Sequence, residues 1–199
     1  MITKKYDSRE EWLADRFGKI TGTKVKDVIA KRGIARKIGF YQLVADRLAI
    51  PADDEDERDR GTRLEAKAIE EFVKKTKKKV DTSLLMWQRD DNPNIAYSPD
   101  GVISKTEAVE AKCLSSARHL EAFIEQAVPK DYEDQVLQAF VVNDKLKKLY
   151  VVFYDDRVVV KPFFYLEVER DQDKVNAYLL QEKMMLQEID DIVIKLSGF

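Results

Sequence analysis

The chain has 199 residues, 44% of them hydrophobic, enough to bury one sizeable core. Its 35 Lys and Arg nearly balance 37 Asp and Glu, so a strongly basic nucleic-acid-binding balance is excluded and any contact with DNA must come from local patches or bound cations. No apolar run is long enough to span a bilayer, "MITKKYDSREEW" lacks the apolar stretch of a signal peptide, and the lone Cys113 excludes both an intramolecular disulfide framework and a protein-only cysteine cluster for zinc or iron–sulfur; a reducing, cytoplasmic setting fits.

Ser8 followed by Glu11 predicts a capping box that opens a first short helix. "ITGTKVKDVIAK" reads as a turn at Gly22 and then a helix, and "GFYQLVADRLAI" is apolar at helical spacing. "PADDEDERDR" interrupts the pattern with a charge run, a solvated loop or a helix start. Leu64, Ala68, Ile69, Phe72 and Val73 recur at helical spacing and predict a helix from Arg60 to about Lys78. The period then changes. "VDTSLLMWQ", "NIAYS", "GVIS" and "AVEAKC" are short, apolar-rich and bounded by Asp, Asn, Pro and Gly, which predicts strands. Helices are predicted over 116–126 and 130–142. "KKLYVVFYDD" and "RVVVKPFFYLEVE" read as two more strands able to pair as a hairpin, and a long helix runs from about Asp171 to Leu196. The sum is an α/β or α+β fold, a central mixed sheet flanked by helices, with residues 1–199 as one domain.

The chemistry concentrates in "YSPDGVISKTEAVEAK". Strand residues two apart share a face, so Glu110 and Lys112 point together. A hairpin through "ISKTEA" brings Asp100 beside Glu110. Two oxygen ligands from neighbouring strands form a half-site for Mg²⁺, with the Ala111 carbonyl as a third ligand and Glu65, on the preceding helix, as a fourth. Lys112 can then orient or deprotonate a water for attack on phosphorus, so phosphodiester hydrolysis suits the set best. The spacing alone is a weak signal, since an Asp in a turn and an ExK pair on a strand are common surface features.

The surroundings strengthen it. Pro99-Asp100 followed by Glu110-Ala111-Lys112 matches the PD-(D/E)XK nuclease signature, and the chain resembles the phage lambda exonuclease and YqaJ-type viral recombinase family. "ADRFGKITGTKVKDVIA", "RGTRLEAKAIEEF", "SPDGVI", "VEAKC", "YEDQVLQAFVV" and the terminal "LSGF" carry the resemblance in order along most of the chain. It implies a restriction-endonuclease-like core with Asp100, Glu110, the Ala111 carbonyl and Glu65 around two Mg²⁺ ions, for which Mn²⁺ can substitute, and Lys112 as the catalytic lysine. It implies that Arg16, Thr23 and Ser98 hold the 5′-phosphate of a DNA end, where an arginine fork and hydroxyl donors suit phosphate. The family's Gln-x-Gln motif is altered to "QVLQ", with Leu137 in the second glutamine's place. Gln135 is the first choice for serving the site and Gln138 the second.

The resemblance further implies 5′-to-3′ digestion of one strand of linear duplex, a ring-shaped homotrimer, a single-strand annealing partner, and a bacterial or phage-infected cell. Two rivals stand beside it: another nuclease on the same fold (an endonuclease, or a single-strand exonuclease of the kind that carries four cysteines), and a non-catalytic DNA-end or recombinase adaptor. Elsewhere, "KKTKKK" reads as a solvated helix end before a DNA contact, and His119 as an incidental helix residue. Cys113, Trp12, Trp87 and Phe163-Phe164-Tyr165 read as core.

Overall fold

A computed structural model of the chain describes residues 1–16, 22 and 57–197. The helix predicted after Gly22, the "GFYQLVADRLAI" segment, the charge run as far as Asp56 and the phosphate-site candidate Thr23 lie outside the described residues.

The first helix, α1 (Arg9–Asp15), is capped as expected: Ser8 Oγ accepts the Glu11 amide at 3.2 Å. Helix α2 (Glu57–Thr76) buries Leu64, Ala68, Ile69 and Phe72. It ends where Lys77 turns left-handed, at a φ of 60°. The lysine run therefore straddles a helix end, and Lys78 returns to Glu107 at 2.9 Å.

The central segments form β2 (Leu85–Gln88), β3 (Ala96–Tyr97), β4 (Gly101–Val102) and β5 (Glu107–Lys112). Then follow α3 (Ser116–Glu125), α4 (Lys130–Val142), β6 (Lys148–Tyr154), β7 (Phe163–Glu169) and α5 (Gln172–Ser197). A strand that periodicity did not predict, β1 (Ile2–Lys5), pairs antiparallel with β2. All four of its residues are exposed, so it has no buried face to announce it. "RVVVKPFFYLEVE" is a strand only from Phe163 onward. Before it, the Lys161 amide bonds the Val158 carbonyl and the Asp155 amide bonds the Pro162 carbonyl, both at 2.9 Å, which folds those residues into a turn. Pro162, lacking an N–H, marks the boundary.

Two sheets result, β1-β2-β3 and β4-β5-β6-β7. In the second, β5 and β6 run parallel while β4 and β7 pair antiparallel to them. A parallel pair requires a crossover, and α3 and α4 supply it. Alternation along β5 and β6 then assigns two faces. Ala108, Leu149, Val151 and Phe153 pack with Phe140 of α4 and with Tyr178 and Leu186 of α5. Val109, Ala111, Tyr150 and Val152 pack with Ala68, Ile69 and Phe72 of α2. The central mixed sheet flanked by helices is thus the predicted architecture. Among the described residues, no helix is long and apolar enough to cross a membrane.

His119 is not incidental. It is fully buried in α3, its Nε2–H donates to the Lys161 carbonyl at 2.8 Å, and its ring meets Phe164 edge-on at 4.9 Å. Burial holds its pKa below the usual imidazole value.

Candidate active site

The register of β4 and β5 builds the site. Gly101 pairs with Val109, which sets Asp100 against Glu110 across the strands. Only glycine suits position 101, because an added Cβ would lie 2.3 Å from Val80 Cγ1. Asp100 Oδ2 accepts the Ala111 amide at 2.7 Å. The N–H and C=O of one strand residue point to the same edge. The Glu107 carbonyl bonds Ile103 and Ser104 on the β4 side, so by alternation the Ala111 carbonyl also faces the edge where Asp100 stands.

Glu110 and Lys112 project together on the other pleat. Lys112 Nζ lies 2.7 Å from Glu110 Oε1 and 2.8 Å from Gln135 Oε1. The Gln135 amide and the Tyr97 hydroxyl both donate to Glu110. Gln135 therefore joins the lysine and the acid from α4, while Tyr97 reaches the acid from β3. Gln138 is not with them: it is fully buried, with its amide toward the Ala96 carbonyl at 3.5 Å. Three residues along a helix leave the two side chains about 60° apart around the axis and about 4.5 Å apart along it, and that offset turns Gln138 toward Glu182 of α5.

The three acids act on one another. Burial pushes the Asp100 carboxyl well above its usual range, and Glu110 and Glu65 push it further. Burial also raises Glu65, with Glu110 adding to the shift and Arg9 and Lys112 opposing it. For Lys112, burial disfavours the ammonium, but Glu110 and Asp100 outweigh it, so the pKa is raised and the amine holds its proton at neutral pH. Among the described residues, no three Asp, Glu, His or Cys side chains close around one point as a metal cage. The reason is visible: Asp100 is turned to the Ala111 amide, and Glu110 to its three donors.

Arg16 lies 4.4 Å over the Trp12 ring; burial lowers its pKa while Glu110 and Asp100 act against that shift, so it faces the acids. Ser98 is buried and its hydroxyl has no hydrogen-bond partner among the described residues. A cleft of about 380 Å³ opens beside Glu65 and Asp100, walled by Arg9 and Trp12 of α1 and by Thr82 and Ser83. Trp12, read as core, is instead a half-exposed wall of this cleft.

Two neighbours escaped the sequence reading. Tyr97 is fully buried against Glu110, and its place on the strand before Pro99 was the only available signal. Gly22 packs so closely that a Cβ there would lie 2.6 Å from Gln135 Cγ and 3.0 Å from the Tyr97 ring.

A mixed sheet flanked by helices, with an Asp, a Glu-x-Lys and a helix-borne Glu at one edge, is the architecture of PD-(D/E)XK-like nucleases. The chain belongs to the YqaJ-like viral recombinase domain family, whose model matches residues 11–145. It is similar to an alkaline exonuclease (LHK-Exo) from Laribacter hongkongensis at 25% identity and a TM-score of 0.78, over 95% of this chain and 96% of that one. The structure of LHK-Exo in complex with dAMP matches at 25% identity and a TM-score of 0.71, over 95% and 98% of the two chains. A phage-related exonuclease from Haemophilus somnus 129PT shares the fold at 13% identity and a TM-score of 0.57, over 90% and 96%. No curated protein matches the chain.

Proposed function

We propose that this exonuclease, a single nuclease domain over residues 1–199, digests one strand of linear duplex DNA in the 5′-to-3′ direction from a 5′-phosphorylated end. It leaves 3′ overhangs for a single-strand annealing partner and works as a ring-shaped homotrimer in the cytoplasm of a bacterial or phage-infected cell. The observation that carries this reading is the meeting of Asp100, Glu110, Lys112 and Gln135 at one end of β5, with Glu65 electrostatically coupled to them.

The donor set fits a hard divalent cation such as Mg²⁺: all-oxygen ligands from Asp100, Glu110, Glu65 and the outward-facing Ala111 carbonyl. The mutual repulsion that raises Asp100 and Glu65 is what a cation would relieve. When bound, Mg²⁺ or Mn²⁺ supplies Lewis-acid stabilisation of charge developing on the scissile phosphate. Lys112, charged and held by Glu110 and Gln135, orients the attacking water and stabilises negative charge beside the phosphorus. Gln135 fixes the lysine's direction. Tyr97 fixes Glu110 from behind. Arg16 presents a guanidinium to the 5′-phosphate, with Ser98 and Thr23 as hydroxyl donors; the buried, unpartnered Ser98 hydroxyl supports its place in this set. Gln138 takes no part.

Linear duplex labelled at either the 5′ or the 3′ end, with and without 5′-phosphate, in Mg²⁺ and in EDTA, tests the proposal. Release from 5′-phosphorylated ends in Mg²⁺ alone is expected. Release only from 3′ ends refutes the polarity, and cleavage of closed circular duplex would favour the endonuclease reading.

A further inference from the structure

Below the site lies a second set of charges that hydrolysis does not use. Arg60, in the first turns of α2, is 2% exposed. Its Nη2 donates to Asp155 Oδ1 at 2.6 Å and to Asp156 Oδ1 at 2.5 Å, and its Nη1 reaches the Leu114 carbonyl at 3.5 Å. Asp155 is fully buried just past the end of β6, and the same oxygen accepts the Arg157 amide at 3.0 Å and the Arg157 Nε at 3.3 Å. A methyl group on Gly61 would lie 3.6 Å from the Cys113 carbonyl, so the backbone of α2 runs beside the residue that follows Lys112.

We propose that the Arg60–Asp155 pair is a positioning latch, which sets Glu65 in register with Glu110 and Lys112. This rests on the active-site reading above. The geometry supports it from both ends. Arg60 is five residues before Glu65 on one rigid helix, and Leu114 is two residues after Lys112. One guanidinium therefore ties the helix carrying the third carboxylate to the strand carrying the lysine and to the strand parallel to it. Helix α2 also meets the sheet through Ala68, Ile69 and Phe72, an apolar contact without direction. Apolar packing tolerates sliding that a forked, charge-assisted hydrogen bond does not. A buried ion pair also adds little net stability over well-packed apolar groups, so its value here is geometric.

The test separates geometry from stability. Arg60→Met leaves buried Asp155 with only its longer ion pair to Arg157 Nε, at 3.3 Å, and should lower the melting temperature. Adding Asp155→Asn removes that under-compensated charge and keeps an acceptor for the Arg157 amide and Nε, so the double variant should regain stability. Its kcat on linear duplex should nevertheless stay about 100-fold down, the cost of roughly 1 Å of misplacement, with KM for DNA unchanged. Its Mn²⁺ affinity, measured by calorimetry without DNA, should fall about 10-fold or more, as for other supporting residues around metal ligands. Arg60→Lys gives an independent reading: it keeps the charge but loses the fork to Asp156 and Leu114, so stability should hold while kcat falls by less. Wild-type kcat and Mn²⁺ affinity in either folded variant overturns the latch, as does activity that follows melting temperature alone. Lys112→Ala, run alongside, distinguishes the two readings. Full activity there sinks the active-site assignment, whereas a dead Lys112→Ala beside a fully active double variant sinks only the latch.

Discussion

Replacing Glu182 by glutamine should stabilise the protein at alkaline pH and leave it nearly unchanged in acid. Glu182 sits on α5 with no exposed surface, and its carboxylate is poorly compensated: among the described residues no donor reaches it at ordinary hydrogen-bond distance, and the Gln138 side chain acts on it from farther off. Burial pushes its pKa from 4.5 to about 8, with Gln138 and Arg89 opposing the shift. The sign follows from linkage. The folded pKa lies above the unfolded one, so the folded state is favoured while the carboxyl is protonated. Stability is full below about 4.5 and is lost as the pH rises to about 8. At about 1.36 kcal/mol per pKa unit, the loss has a ceiling of roughly 5 kcal/mol, a large share of a typical domain's stability. Each kcal/mol moves the melting temperature of a chain this size by about 2–4 °C. Melting curves of wild type and Glu182→Gln from pH 4 to pH 9 check this: the two should converge near pH 4, run parallel above about 8 and, between about 4.5 and about 8, separate steadily with the variant melting higher. Parallel curves across that range would refute the buried-carboxyl argument.

Lys112→Ala should lower the rate on linear duplex by about 100- to 10,000-fold, read as label release under single-turnover conditions, with circular dichroism confirming the fold. Tyr97→Phe keeps the ring but removes the donor to buried Glu110; urea unfolding should show a loss of about 1.5–3 kcal/mol. Gly22→Ala puts a methyl group 2.6 Å from Gln135 Cγ, so Gln135 must move and its hold on Lys112 is disturbed; kcat should fall several-fold, by up to about 100-fold, while KM for DNA stays constant.

Periodicity carried far because most elements have one wet and one dry side. Helix α4 runs from Lys130 to Val142 as its spacing predicts, and α2, α3 and α5 differ from their expected ends by only a few residues. The exceptions lack that contrast: β1 is exposed throughout, and 157–162 is apolar but locked into a turn by its own backbone bonds. Local sequence also brought Asp100, Glu110 and Lys112 together, since a strand alternates and a short hairpin must return along itself.

Contacts between distant segments had no such signature. Tyr97 against Glu110, Gln135 against Lys112 with Gln138 turned inward, the Arg60–Asp155 pair and the buried carboxyl of Glu182 all span from 13 to 95 residues of chain or depend on which way a helix is rolled. Local pattern reports which side of an element is apolar. How far that element slides or turns against its neighbours is settled only when the whole core closes, because packing energy belongs to pairs of surfaces and not to either strip of sequence alone.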